Sequence, residues 1–135
     1  MKYSPELISS PLTKLPSELE AVSLKLYEEL MYYMFDIKSK ANPIDHVKKH
    51  LRLGLNATED IKDEAYVQVL KQIKEHNDSN KAIRGWNFFA ILASTYSPSS
   101  DLFYAILNYL MFEIKNNLDT NIVKRANYIF ARLVR

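Results

Sequence analysis

Apolar residues recur at three- and four-residue spacing through most of the chain, in rows cut by short polar segments that carry helix-cap chemistry. No stretch alternates with period two over the length of a strand, so the chain is confined to an all-α arrangement. Ser17 stands three residues before Glu20 in an S-x-x-E capping box with Pro16 just outside it. Leu19, Val22, Leu26, Leu30 and Tyr33 follow at helical spacing and predict a helix over 17–36. Asn42-Pro43-Ile44-Asp45 is a second start, with an apolar stripe of Ile44, Val47, Leu51 and Leu55 and Gly54 as its end signal. A third helix begins near Thr58 or Asp60. Glu59, Asp60, Asp63 and Glu64 crowd its first turns, where the helix dipole favours negative charge, and Ile61, Ala65, Val69 and Ile73 form its buried row.

A polar break at 77–80 precedes a fourth helix over 81–95, and Ser97-Pro98-Ser99-Ser100 precedes a fifth over about 100–117. The fifth is apolar on nearly every side (Leu102, Phe103, Ala105, Ile106, Leu107, Leu110, Met111) and is expected at the centre of the molecule. Asp119 or Thr120 caps the last helix, which carries Ile122, Ala126, Ile129 and Leu133 on one face. The expectation is a compact bundle of about six helices in one domain over 1–135, with residues 1–16 largely irregular but packed.

Composition narrows the function classes. Two glycines and five prolines in 135 residues are too few turn signals for a many-stranded sandwich or barrel, and the 47% hydrophobic and 25% charged content is ordinary for a globular domain. The absence of cysteine excludes a disulfide framework, a thiolate metal site and a cysteine nucleophile. The opening MKYSPELISSPL lacks the apolar core of a secretory signal, and the stretches 86–96 and 102–112 are too short to span a bilayer, so a soluble cytoplasmic protein is expected.

Candidate chemistry is sparse. His46 and His50 lie at i, i+4 in H-V-K-K-H, but Val47 occupies the place of the zincin glutamate and Lys48 and Lys49 flank the pair, so no metal is expected and both imidazoles are read as solvent-edge residues. The adjacent carboxylates Asp63-Glu64 and Glu28-Glu29 point about 100° apart on a helix and cannot flank one bond. Gly54 and Gly85 are too far apart for a phosphate loop, and no G-x-S-x-G elbow occurs. The chain is therefore read as a non-enzyme without a cofactor. The aromatic residues keep apolar company rather than interleaving with basic ones, which argues against nucleic acid. One segment is unusual: Gly85 within a helix costs up to about 1 kcal/mol relative to alanine, and close approach of another helix is the simplest compensation. Arg84 beside it is expected to pair with Asp63 or Glu64.

Charge is unevenly spread. Residues 1–68 hold 9 lysines and arginines against 11 acids, and residues 69–135 hold 9 against 5. Lys38, Lys40, Lys48, Lys49 and Arg52 face Asp45 alone, and Lys124, Arg125, Arg132 and Arg135 end the chain without an acid. Such clusters raise association rates with acidic partners.

The run from Asp63 to Gln72, D-E-A-Y-V-Q-V-L-K-Q, resembles the acidic-tyrosine signature of the myosin tail homology 4 domain. It is followed in family order by Arg84-Gly85-Trp86, by Tyr96-Ser97-Pro98-Ser99 in place of the F-P-P-S loop, and by a closing helix with Ala126 and Tyr128. The opening Ile8-Ser9-Ser10-Pro11-Leu12 through Leu15 is similar to the family's start, whereas Ile129 replaces its closing cysteine. The resemblance implies a non-catalytic helical interaction module of a motor tail or a Rho GTPase-activating protein. Such a module binds microtubules or a cytoskeletal cargo protein, often beside a FERM domain. It makes the two basic clusters the candidate partner surfaces and assigns Asp63, Glu64, Tyr66, Gln68, Arg84, Gly85, Trp86 and Pro98 to the scaffold. The alternatives are recognition of anionic lipid by the same basic residues and docking of a neighbouring domain of the same polypeptide.

Overall fold

The computed structural model describes residues 12–74 and 76–135. A single 3-10 turn at Ser17–Leu19 leads into α1 (Glu20–Met34), followed by α2 (Pro43–Leu55), α3 (Glu59–Ile73), α4 (Ser79–Thr95), α5 (Ser100–Asn116) and α6 (Thr120–Leu133). The six helices and the absence of strands among the described residues agree with the all-α expectation. Of the segment 1–16, residues 1–11 lie outside the described residues, and with them Ile8, Ser9, Ser10 and Pro11 of the opening motif.

Local chemistry sets most helix starts. Asn42 Oδ1 accepts from the Ile44 amide at 2.9 Å with Pro43 in the first turn. Asp78 caps α4 through the Asn80 and Lys81 amides, Ser99 caps α5 through Leu102, and Asp119 caps α6 through Asn121. Each cap satisfies backbone donors that a helix cannot satisfy itself. The capping box at Ser17 does not form: the chain turns there as a 3-10 helix, and α1 starts at Glu20 with no side-chain cap.

α1, not α5, is the central helix. Leu26, Tyr27, Leu30, Met31 and Met34 are fully buried, and α2, α3 and α4 all pack on α1. α2 runs antiparallel to it, with His46 against Glu29 and Leu53 near Lys25. α3 runs alongside in the same direction, with Gln68 against Ser23 and Gln72 against Tyr27. α5 lies at the edge on α6, buries only Ile106 and Leu110, and leaves Tyr104 (68%) and Phe112 (60%) exposed. High apolar content misplaced this helix, because the apolar residues it turns outward have nothing to pack on.

Gly85 explains how α4 comes so close. A Cβ at this position would stand 2.5 Å from Ile73 Cγ2 on α3 and 2.9 Å from Met34 Cε on α1. Only a hydrogen fits where three helices meet. Gly54 is also a packing residue: it lies inside α2, and a Cβ there would meet the Tyr96 hydroxyl at 2.8 Å. It does not terminate the helix.

The histidines are not at the solvent edge. His46 and His50 are buried and form the inward face of α2 together with Val47 and Gly54, while Ile44 and Leu55 of the expected stripe are exposed. His46 is held at both nitrogens, by the buried Glu29 carboxylate at 2.5 Å and by Ser39 Oγ at 2.7 Å. His50 has no hydrogen-bond partner at either nitrogen among the described residues and meets the Phe88 ring edge-on at 4.6 Å. Complete burial pushes its pKa down to about 3.

Two stability predictions follow from these contacts. Gly85→Ala should lower stability by about 1–3 kcal/mol, despite the better helix propensity of alanine, because the branched Ile73 side chain cannot yield cheaply. Thermal unfolding followed by circular dichroism reads the loss. His50→Leu removes two unpartnered buried nitrogens and should match or exceed the parent in stability at pH 7. Since folding depresses the His50 pKa, the unfolded chain binds the extra proton. The parent should therefore lose stability relative to the leucine variant by up to about 1.4 kcal/mol per pH unit as pH falls from 6.5 towards 3. Denaturant unfolding of both proteins at pH 7, 5.5 and 4.5 measures the divergence, and parallel curves contradict it.

Candidate functional site

The acidic-tyrosine run forms a set of ties between elements. Glu64 is buried and accepts five hydrogen bonds from the described residues: from the Leu12 and Thr13 amides at 3.0 and 2.7 Å, Thr13 Oγ1 at 2.6 Å, Ser23 Oγ at 2.8 Å and Gln68 Nε2 at 2.9 Å. These donors join the N-terminal segment, α1 and α3, and among the described residues no cation lies within ion-pair distance of Glu64. Gln68 Nε2 also donates to the Ser23 carbonyl at 2.9 Å. Asp63 reaches the other way, accepting from the Ser99 amide at 2.8 Å and from Ser99 Oγ at 2.5 Å, so α3 holds the residue that caps α5. Tyr66 donates to the Tyr96 carbonyl at 2.5 Å, and burial raises its pKa and that of Tyr96 above the ordinary tyrosine value. Pro98 is buried beside this junction.

Arg84 does not pair with Asp63 or Glu64. Both carboxylates are engaged by Ser99 and by the five donors above, and Arg84 instead donates from Nε to the Tyr33 carbonyl at 2.5 Å. Its guanidinium lies over the Tyr33 and Phe35 rings, 4.4 and 3.8 Å from their centroids. Trp86 is buried and stacks on Phe89 and on Tyr109 of α5.

The first basic cluster separates into two places. Lys48, Lys49 and Arg52 are exposed on the outer face of α2, one turn after Asp45. None is within ion-pair distance of a carboxylate among the described residues. Lys49 and Arg52 line a shallow depression of about 290 Å³ with Leu53 and with Lys25 of α1. Lys25, which sequence spacing does not connect to this cluster, also pairs with Glu28 at 2.8 Å. This hydrogen bond is the main cause of its raised pKa. Lys38 and Lys40 are exposed in the α1–α2 connection. That is the opposite end of α1 from Lys25, roughly 15 Å away at 1.5 Å per helical residue.

The second cluster is more committed to the fold. Lys124, Arg125 and Arg132 lie on one side of α6 with Tyr128, and Arg135 follows beyond the end of the helix. Arg125 donates from Nε to Asn87 Oδ1 of α4 at 2.7 Å and from Nη1 to the Asn121 carbonyl at 3.0 Å. Arg132 is half-buried, which leaves Lys124 and Arg135 as its fully exposed cations. Among the described residues no three side chains of metal-ligating type converge, and no helix is long and apolar enough to cross a membrane.

Comparison with known proteins fits this geometry. The chain is 28% identical over 111 residues to human unconventional myosin-XVB, covering 82% of this chain and 4% of that protein. It is 29% identical over 115 residues to the rice kinesin-like protein KIN-14I (Oryza sativa subsp. japonica), covering 82% of this chain and 9% of that one. The chain thus spans only a small part of the curated relatives it matches. A solved mutant of the Dictyostelium discoideum myosin VII MyTH4-FERM MF2 domain superposes with a TM-score of 0.91 at 20% identity, covering 98% of this chain and 27% of that one. The family model of the MyTH4 domain matches residues 47–135, from the buried face of α2 to the end of α6, and the chain belongs to the MyTH4 domain family.

Proposed function

We propose that this chain is a non-catalytic interaction module of a cytoskeletal motor tail, and that it binds microtubules through the outer face of α2. This reading rests on the exposure of Lys48, Lys49 and Arg52, which have no acidic partner among the described residues, and on the depression that Lys49 and Arg52 share with Lys25. An isolated surface charge contributes at most about 1 kcal/mol, but several cations presented together to the acidic exterior of tubulin add up and steer encounter. The relatives support the cytoskeletal setting, since one is a myosin and another a kinesin-like protein. The α6 cluster is the weaker candidate, because Arg125 is already bound to Asn87 and Asn121.

A second reading is favoured by α5. Its exposed Tyr104, Met111 and Phe112 make an apolar face that solvation of a lone domain does not call for. The solved relative joins its MyTH4 domain to a FERM domain. We propose that this face docks such a neighbour where the longer polypeptide supplies one, while α2 remains free for the partner.

Co-sedimentation with taxol-stabilised microtubules tests the first reading. Lys48→Glu, Lys49→Glu and Arg52→Glu together should weaken binding at least tenfold with helicity unchanged, and binding should fall as salt shortens the screening length to about 8 Å. Reversal of Lys124 and Arg135 should have a smaller effect. Unchanged binding of the α2 variant contradicts the assigned surface, and sedimentation with anionic vesicles but not microtubules assigns the same residues to lipid.

A further inference from the structure

The connection from α1 to α2 contains a feature that packing does not require. α1 ends at Phe35 in the left-handed conformation (φ 66°, ψ 18°), the single non-glycine residue with positive φ among the described residues. The turn is closed by the Asp36 and Ile37 amides donating to the Met31 carbonyl at 3.0 and 3.3 Å. Glycine or asparagine takes such a position at little cost, whereas a bulky side chain there brings its Cβ close to the following carbonyl oxygen and strains the backbone. Burial does not offset this, since the Phe35 side chain is 50% exposed.

The ring is fixed rather than loose, because the Arg84 guanidinium covers one face while its Nε is held by the Tyr33 carbonyl. Phe35 and Ile37, with Lys38, Ser39 and Lys40, line a depression of about 620 Å³. Lys38, Lys40 and Arg84 have no carboxylate within ion-pair distance among the described residues. The two acids closest to the lysines along the chain are Asp36, which is turned inward onto Gln72 and His76, and Asp45, which lies exposed in the first turn of α2 and makes no ion pair with either lysine among the described residues. An apolar floor, a rim of free cations and a strained aromatic anchor define one kind of occupant.

We infer that this depression is a docking site for an acidic peptide segment carrying one bulky apolar side chain. The apolar side chain packs on Phe35 and Ile37, and carboxylates on either side of it meet Lys38, Lys40 and the terminal nitrogens of Arg84. The site is separate from the α2 face and does not depend on microtubule binding.

Fluorescence anisotropy with a labelled nonapeptide, one leucine between two runs of four glutamates, tests it on the 135-residue chain. Peptides with alanine for the leucine, or with lysine for the glutamates, are the controls. The leucine peptide should bind at least tenfold tighter than either control. Phe35→Asn, which suits the left-handed turn and keeps the fold, should weaken it at least tenfold, as should the pair Lys38→Glu and Lys40→Glu on the exposed connection. The α2 triple reversal should change it less than threefold, which keeps this result independent of the microtubule test. Equal affinity for the leucine and alanine peptides overturns the proposal, as does undiminished binding to Phe35→Asn or to the Lys38/Lys40 variant. So does binding of these residues to phosphatidylserine vesicles with none to the peptide.

Discussion

The fold depends on α1 being surrounded while still carrying polar groups. Ser23, Tyr27 and Glu29 are buried on it, and each meets a specific partner: Glu64 and Gln68 for Ser23, Gln72 for Tyr27, His46 for Glu29. A buried polar group without a partner costs about 1–3 kcal/mol, so these pairs fix the axial register of α2 and α3 against α1 far more sharply than apolar contacts do. A slide by one turn would keep much of the apolar burial and break all of them. Glu64 extends the same logic to the N-terminal segment through Leu12 and Thr13, and Asp63, its neighbour on α3, extends it to the cap of α5.

Once the interior is fixed in this way, the surface is left to do the binding. The polar side chains of the acidic-tyrosine run face inward or brace loops, so the partner-facing chemistry falls to side chains that the fold does not use. On α2 the division is clear. His46, Val47, His50 and Gly54 point at α1 and α4, and Lys48, Lys49 and Arg52 point away. On α6 the division is incomplete, because Arg125 serves the α4–α6 contact. The same criterion separates Phe35 from the other aromatic residues near α1: Tyr33 and Phe88 are buried, whereas Phe35 spends backbone strain to stay half in solvent.

Periodicity and caps made the six helices and most of their boundaries legible in the sequence, since cap residues such as Asn42 and Asp119 act through local hydrogen bonds, whereas α4 starts at Ser79, inside the expected polar break, on a cap by Asp78. The requirement for close approach at Gly85 was legible too, although the partners Ile73 and Met34 were not. What the sequence hid were properties of tertiary neighbours. His46 and His50 read as polar because imidazole is polar, and only the Glu29 carboxylate and the Phe88 ring make burial possible. The apolar content of α5 suggests a central helix, but Tyr104, Met111 and Phe112 face solvent because no helix packs over them among the described residues. Arg84 read as an ion-pair partner because the prior engagement of Asp63 and Glu64 with hydroxyl and amide donors cannot be seen from spacing. Lys25 joins the α2 face only through the antiparallel packing of α1 on α2.

Hydrogen–deuterium exchange of the chain, alone and on microtubules, tests the proposal that a partner binds the outer face of α2. Binding through α2 should slow exchange in peptides covering 43–55 and the first half of α1 and leave α5 unchanged. Protection confined to α5, with α2 exchanging as in the free chain, would contradict it.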